Sequence, residues 1–267
     1  MATTNVTSEQ SATVFPGAFG KQTFVDTRNA EDQDAGFGLG PDTTPDNNNY
    51  IVAQYAQDIF NTDNRNHFQL SHVIDFDLGG IGTTITGLVL KLYGKTMAFS
   101  SGNIYDGDAI ILKGSFDDDV SSDLTAYNAF TGWESGWDYN DVTEFSSAFG
   151  PGSGVSWSTS DYNNITLNSD AVSDANTQRN AGNRFKLYIM NKSRQYDNDD
   201  TNLADSTGTA LQRDGYYMNY IADKDATNEP TLVVTHDDAA PPVLPTDLKI
   251  VGGSTKLNGG SLKVDNN

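Results

Sequence analysis

Residues 72–93, which read HVIDFDLGGIGTTITGLVLKLY, decide the fold. Apolar side chains occupy every second position in both halves of this segment, and a glycine-rich turn separates the halves. The alternating apolar residues are Ile74, Phe76, Leu78, Leu88, Leu90 and Leu92. A period of two gives a β-strand one apolar face. The segment therefore predicts two strands that each direct an apolar face into the protein core.

Similar short runs extend outward from this segment in both directions. Further strands are predicted at residues 23–27, 50–55, 109–113, 155–157, 164–168, 184–190, 216–220 and 230–236. Residues 170–176 are compatible with one or two helical turns. Residues 123–127 are compatible with a short helix, but the Gly and Trp content of residues 121–149 favours loops. Gly, Asn, Asp, Ser and Thr fill the stretches between the strands, and these residues favour turns. Many short strands separated by turn residues indicate an all-β sandwich rather than alternating strands and helices.

The composition changes near both ends of the chain. Residues 1–22 are small and polar and are interpreted as an N-terminal arm, and residues 23–236 as the sandwich domain. Residues 237–247 are rich in proline and are interpreted as a linker, since proline stiffens such a segment into an extended spacer. In residues 248–267, Gly-Gly-Ser occurs twice with a period of 7. This repeat predicts a short, β-rich tail that forms a hairpin or lies along a neighbouring subunit.

The charge of the chain restricts its partners. There are 36 acidic and 16 basic residues, which give a formal net charge of −20. Such a chain repels nucleic acid and anionic membrane surfaces, so neither is an expected partner. The chain has no cysteine, which excludes disulfides and thiolate metal sites. Residues 1–6 lack the basic and apolar regions of a secretory signal, so we expect no ordinary export route.

Acidic clusters are the candidates for a metal site. Asp106 and Asp108 precede the predicted strand at 109–113, and Asp117 and Asp119 follow it. Carboxylate oxygens are the ligands that Ca²⁺ prefers. None of the clusters is a full EF-hand pattern, so the alternative is that these residues lie in solvated loops. Calcium is the one cofactor that the sequence suggests.

Aromatic residues are the candidates for a carbohydrate-binding site. Trp133, Trp137 and Tyr139 lie close together in sequence, and Trp157 follows them. Aromatic side chains with an apolar face and a polar edge can stack on sugar rings. The alternative is that the same side chains cap the core of the sandwich, since Trp is usually well buried.

No motif indicates a catalytic centre. The spacing of His67, His72 and His236 matches no zinc motif. Carboxylates are so abundant that pairs suited to acid–base chemistry arise by chance, and glycoside hydrolysis needs two of them across one cleft. We therefore expect a non-enzymatic protein.

Residues 72–93 resemble the DNRLRE, disaggregatase-related carbohydrate-binding modules. Those modules carry a strand with Phe-Asp-Leu, a short loop, and a Thr/Ile-containing strand that ends in Leu-x-Leu-Tyr. The resemblance implies an antiparallel, jelly-roll-like β-sandwich with a glycan as its ligand. The chain departs from these modules at residues 36–40, where it has a glycine-rich segment in an acidic loop. The family's ligand residues are therefore not transferred to this chain.

Two further stretches, 126–133 (AYNAFTGW) and 161–168 (DYNNITLN), are similar to virion-associated proteins of marine bacteriophages that carry this sandwich. This resemblance implies a virion structural protein, either a capsid decoration or a fibre-like component. Its expected partners are capsid or other virion proteins and further copies of itself in a homo-oligomer. The alternative is a carbohydrate-binding module of a secreted or cell-surface protein.

Overall fold

The computed structural model describes residues 1–14, 48–58, 65–69, 71–99, 108–118, 129–132, 141–150, 156–197, 215–221 and 227–238. Its strands are β1 (Ala2–Thr7), β2 (Gln10–Val14), β3 (Asn48–Asp58), β4 (Arg65–Gln69), β5 (Ser71–Phe76), β6 (Ile85–Phe99), β7 (Ala109–Lys113), β8 (Tyr162–Thr166), β9 (Phe185–Asn191), β10 (Gly215–Ile221) and β11 (Thr231–His236). Helix α1 (Ser169–Ala181) precedes β9, and a π-helical turn (Lys192–Tyr196) follows it.

The strands form two antiparallel sheets, which confirms the predicted all-β sandwich. Among the described residues, the larger sheet has seven strands in the order β1-β11-β6-β10-β3-β4, with β8 also paired to β6. The smaller sheet has four strands in the order β2-β5-β9-β7. The chain divides into a sandwich unit, Met1–Asp237, and a second unit, Asp238–Asn267, which lies outside the described residues apart from Asp238. Within the described part of the chain, no helix is long and apolar enough to cross a membrane.

The main core lies between the two sheets and follows the predicted alternation. Leu88, Leu90 and Leu92 on β6 are almost completely buried, while the residues between them are partly exposed. They pack in one cluster with side chains of the smaller sheet and of α1. That cluster includes Ile74, Phe76, Ile111, Phe145, Ala171, Ala175, Phe185, Leu187 and Ile189. The two halves of residues 72–93 therefore contribute to opposite walls of one core.

The smaller sheet is buried on both faces. Its second face carries a separate apolar cluster of Val73, Ile110, Leu112, Phe116, Phe130, Tyr188 and Met190. As a result every residue of β5 is buried, including Asp75. The alternation of residues 72–78 thus separates two cores rather than a core from solvent.

The N-terminal residues belong to the sandwich, contrary to the predicted arm at 1–22. Strand β1 pairs with β11 over its whole length, from Ala2 opposite His236 to Thr7 opposite Thr231. Strand β2 then pairs with β5, with Gln10 opposite Asp75. Small and β-branched side chains fit an edge strand, which explains why this polar run folds as strand. Residues 15–22 of the predicted arm and the strand predicted at 23–27 lie outside the described residues.

Two buried polar side chains of β5 hold β2 in place. The Asp75 carboxylate accepts hydrogen bonds from the Gln10 backbone N–H (3.0 Å) and Nε2 (2.7 Å), and it pairs with Arg184 (3.1 Å). His72 Nε2 lies 2.7 Å from Ser11 Oγ. Burial raises the pKa of Asp75, and the bonds from Gln10 and Arg184 oppose that shift. Gln10 and Arg184 therefore satisfy the buried Asp75 carboxylate. The contacts of Gln10 with Asp75 and of Ser11 with His72 fix the register of β2.

Helix α1 is longer than the predicted turn at 170–176. It begins after Asn168, whose side chain accepts hydrogen bonds from the backbone N–H groups of Asp170 and Ala171. It ends at Gly182, whose φ of 72° is the left-handed conformation that glycine adopts most readily. Asn176 on α1 bonds both the N–H and the C=O of Ile85, which fastens the helix to the start of β6.

We expect His72 to make stability fall as the pH is lowered below neutrality. Burial lowers the pKa of folded His72 to about 3, from an ordinary value of 6.5. Between those values the unfolded chain binds a proton that the folded chain does not, which costs up to about 1.4 kcal/mol per pH unit. Because the pKa of Asp75 is raised in the fold, protonation of Asp75 stabilises the folded chain as the pH is lowered, which opposes the effect of His72. It does so equally in the wild type and in a His72→Gln variant.

Urea unfolding of both proteins at neutral pH and at about pH 5 measures this contribution. The His72→Gln variant should lose less stability on acidification than the wild type. An identical loss in the two proteins would show that His72 titrates normally in the fold.

Candidate functional site

The predicted carbohydrate-binding residues are only partly covered by the described structure. Trp133, Trp137 and Tyr139 lie outside the described residues. Trp157 is 8% exposed and belongs to the main core, where its ring stacks on Phe149 with 6.3 Å between centroids. For Trp157 the structure therefore favours the core-capping alternative.

The predicted calcium ligands do not meet at one point. Asp106 and Asp119 lie outside the described residues. Asp108 accepts a hydrogen bond from Ser193 beyond the end of β9, while the carbonyl of Asp117 accepts one from Gln10 at the start of β2. The ends of a five-residue strand such as β7 are roughly 13 Å apart, and two ligands of one Ca²⁺ lie within about 5 Å. Asp108 and Asp117 thus do not share an ion, and the described residues contain no cluster of three or more potential metal ligands.

One groove of about 410 Å³ runs along β8, and we call it the aromatic groove. It is lined by Phe149, Gly150, Ser156, Trp157, Ser158, Tyr162, Asn163, Asn164 and Ile165. Trp157 and Phe149 form its buried apolar floor. Ser156 and Asn164 are exposed, and Tyr162 is half-buried. The groove therefore combines an aromatic surface with hydroxyl and amide groups at its rim.

The wall of the aromatic groove is held by Asn163. This buried side chain accepts a hydrogen bond from Ser158 N–H (2.7 Å) and donates to the carbonyls of Ser158 (3.0 Å) and Leu92 (3.3 Å). Tyr93 on β6 donates to the carbonyl of Ser160 at 2.8 Å. These side-chain hydrogen bonds tie the turn that carries Trp157 to β6.

Gly94 lets this turn approach β6. Its backbone N–H donates to the carbonyl of Asp161 at 3.1 Å. A Cβ atom at this position would lie 1.9 Å from the carbonyl oxygen of Ser158 and 2.9 Å from Trp157 Nε1. Within the described structure Trp157 Nε1 has no hydrogen-bond partner, so the indole is positioned by packing alone.

Tyr162 is the aromatic ring of the groove that is accessible to a ligand. Tyr93 meets it edge-on with 5.4 Å between centroids, and Lys91 Nζ lies 4.5 Å from its centroid. Burial raises the pKa of the Tyr162 hydroxyl, with smaller contributions from Glu229 and Tyr93. The hydroxyl therefore stays protonated at neutral pH and can donate a hydrogen bond.

The chemistry of the aromatic groove suits binding. None of its described lining residues is Asp, Glu, His, Lys or Arg, and Lys91 Nζ lies 4.5 Å from the centroid of the Tyr162 ring. A ligand that fits the described lining has hydroxyl groups for the rim and C–H surface for the aromatic rings.

A second groove of about 440 Å³, the ionic groove, lies beside Asp75 and α1. It is lined by Gly114, Ser115, Asp117, Asp118, Asp174, Gln178, Asn183, Arg184 and Lys186. Lys186 pairs with Asp118 at 2.8 Å, and Lys113 pairs with Asp174 at 2.6 Å. The hydrogen bond from Lys186 lowers the pKa of Asp118. Asp118 is therefore ionised at neutral pH, which makes it a poor general acid.

The ion pairs of the ionic groove join separate elements of the fold. Lys113 lies on β7 and Asp174 on α1, while Arg184, directly before β9, pairs with Asp75 on β5. Asp118 and Lys186 connect the segment after β7 to β9. These pairs explain the ionic groove as part of the scaffold.

No protein-family model matches the chain, and no curated protein matches it. The resemblances of residues 72–93, 126–133 and 161–168 therefore stay predictions.

Sequence analysis missed Tyr162 and Asn164 as site residues, although it predicted a strand at 164–168. Residues 162–166 alternate between exposed and buried positions. That alternation, together with an aromatic and an amide side chain on the outer face, is the signal that marks them.

We expect Gly94→Ala to be more destabilising than Gly87→Ala, although both glycines lie on β6. The added methyl group at position 94 would overlap the Ser158 carbonyl, whereas at position 87 it would meet Thr235 at an ordinary 3.6 Å. Overpacking of this kind costs about 1–3 kcal/mol. Urea unfolding of the two variants measures the difference. Equal stability would contradict the tight approach of the Trp157 turn to β6.

Proposed function

We propose that this chain is a non-catalytic structural protein of a bacteriophage virion, a capsid decoration or a fibre-like component that displays the sandwich. The division of the chain into a sandwich unit and a short second unit carries this proposal. A displayed domain needs a separate segment for attachment. The prolines and the Gly-Gly-Ser repeat after residue 237 supply one. The similarity of residues 126–133 and 161–168 to virion-associated proteins supports the same function.

The pairing of the N-terminal strands within the sandwich supports attachment through the C-terminal segment. Residues 2–14 are paired in both sheets, so they serve as part of the sandwich rather than as an anchor. Residues 238–267 then contact capsid or other virion proteins, and further copies of this chain join it in a homo-oligomer. The proposed location is the virion, and calcium in the acidic loops stays an untested addition.

A second candidate function is carbohydrate binding, as in a module of a secreted or cell-surface protein. The aromatic groove favours it, because an uncharged lining of Tyr162, Asn164 and Ser156 over an aromatic floor matches a neutral glycan. The resemblance of residues 72–93 to carbohydrate-binding modules agrees. A virion protein that displays such a sandwich would have the same ligand.

The virion proposal is tested by quantitative mass spectrometry of purified particles of a bacteriophage whose genome encodes this chain. The expected result is a constant number of copies per particle after repeated density-gradient purification. A Leu257→Asp/Leu262→Asp variant should fold but be depleted from particles, since it alters only the proposed attachment segment. Presence in the lysate but not in purified particles would overturn the proposal.

The carbohydrate proposal is tested on a glycan array with the full chain and single variants. We expect Tyr162→Ala and Asn164→Ala to bind about tenfold or more weakly than wild type, a difference of about 1.4 kcal/mol. Thr166→Ala is the matched control, because Thr166 is exposed on the same strand but does not line the groove. Equal binding by all three variants would place the glycan elsewhere, and absence of binding by the wild type would end this candidate function.

A further inference from the structure

Strand β1 is the end strand of the seven-stranded sheet. One of its edges pairs with β11 from Ala2 to Thr7. In the described part of the chain, no strand pairs with its other edge. The backbone groups along such an edge are a template for another strand.

The direction of these backbone groups follows from one hydrogen bond. Ser8 N–H donates to the Pro230 carbonyl at 3.3 Å, so Ser8 faces β11. In an antiparallel pair, successive residues turn their N–H and C=O groups to alternate sides. The backbone N–H and C=O groups of Ala2, Thr4 and Val6 are therefore directed toward β11, as those of Ser8 are. Thr3, Asn5 and Thr7 turn both backbone groups toward the open edge.

The composition of β1 lacks the usual protection of an edge. Natural edge strands are commonly guarded by charged residues, proline or bulges. Residues 2–7, Ala-Thr-Thr-Asn-Val-Thr, contain no charge and no proline, and the register of β1 with β11 is regular. In a chain with a net charge of −20, an uncharged edge is where two copies can approach with little repulsion.

The side chains of β1 also favour a further strand at this edge. Ala2, Thr4 and Val6 face the core side but are only half-buried, and Val6 packs against the main core. The core therefore extends to this edge and is incompletely covered there. A further strand in the same plane would cover these three side chains.

We propose that β1 pairs with β1 of a second copy of this chain, antiparallel about a two-fold axis at Asn5. Each Asn5 then faces its counterpart, and Thr3 of each copy faces Thr7 of the other. All of these residues turn their backbone groups to the open edge, so about six backbone hydrogen bonds form. The pairing is self-complementary, as a two-fold dimer requires, and it joins the two larger sheets into one. This inference rests on the homo-oligomer of the proposed function and names its interface.

Cross-linking tests the register directly. The chain has no cysteine, so Asn5→Cys introduces a single thiol. Opposed residues in a hydrogen-bonded pair have Cα atoms about 5.5 Å apart, within the range of a disulfide. Mild oxidation should convert Asn5→Cys mostly to a covalent dimer, whereas Thr166→Cys, exposed on β8, should stay monomeric on a denaturing gel. Equal cross-linking of the two variants, or none in either, would overturn the proposal.

Sedimentation velocity over a range of concentrations separates this inference from the proposed function. Asn5→Pro removes the outward N–H but leaves the bonds to β11, since proline is tolerated at edge positions whose N–H faces outward. Asn5→Thr is the matched control, because it loses the same amide side chain but keeps the N–H. Asn5→Pro should sediment as a monomer with an unchanged melting temperature, and Asn5→Thr as a dimer. An oligomer that survives Asn5→Pro would overturn the β1 interface alone, whereas a monomeric wild type would overturn the interface and the homo-oligomer together.

Discussion

The buried carboxylate of Asp75 is the constraint on which the arrangement of the sandwich depends. It is fully inaccessible to solvent, yet it lies on a strand whose two neighbours are β2 and β9. A buried charge is tolerated only when it is paired and hydrogen-bonded. Gln10 supplies two hydrogen bonds and Arg184 supplies the countercharge. Asp75 therefore requires both the N-terminal strand and the start of β9 to be in place.

This requirement links the two sheets through the N-terminus. Residues 2–7 pair in the larger sheet and residues 10–14 in the smaller one, so β1 and β2 form one side of the sandwich.

Strand β6 organises the larger sheet. It pairs with both β11 and β8 over residues 89–91, so these two strands lie on opposite edges of it. Gly94, beyond this region, admits the turn that carries Trp157. The β1 edge and the aromatic groove are thus both set by the same large sheet.

The fold was largely predictable because its central strands carry a strong apolar period. The two strands predicted within residues 72–93 match β5 and the first part of β6, and the strand predicted at 184–190 matches β9. The N-terminal strands were missed because Thr, Asn and Ala alternate without large apolar side chains, so their pairing depends on Asp75 and β11 rather than on local pattern. The burial of Asp75 itself was hidden, since a strand with cores on both faces has the same sequence alternation as one that faces solvent.

The site was less predictable than the fold. Trp157 stood out by residue type, but it serves as the floor of a groove whose accessible ring is Tyr162. Asp108 and Asp117 stood out by charge, yet a strand of five residues separates them. In both cases the function of a side chain depends on the depth and spacing that tertiary packing gives it, and residue type alone does not carry that information.

Hydrogen–deuterium exchange of the wild type and an Asp75→Ala variant tests most directly whether Asp75 holds the N-terminal strands. The variant removes the acceptor of the Gln10 bonds and the partner of Arg184 but leaves the pairing of β6, β8 and β11. We predict a selective loss of amide protection in residues 9–14, with β6 and β11 still protected. Unchanged protection of residues 9–14 in the folded variant would contradict the claim that Asp75 holds the N-terminal strands in place.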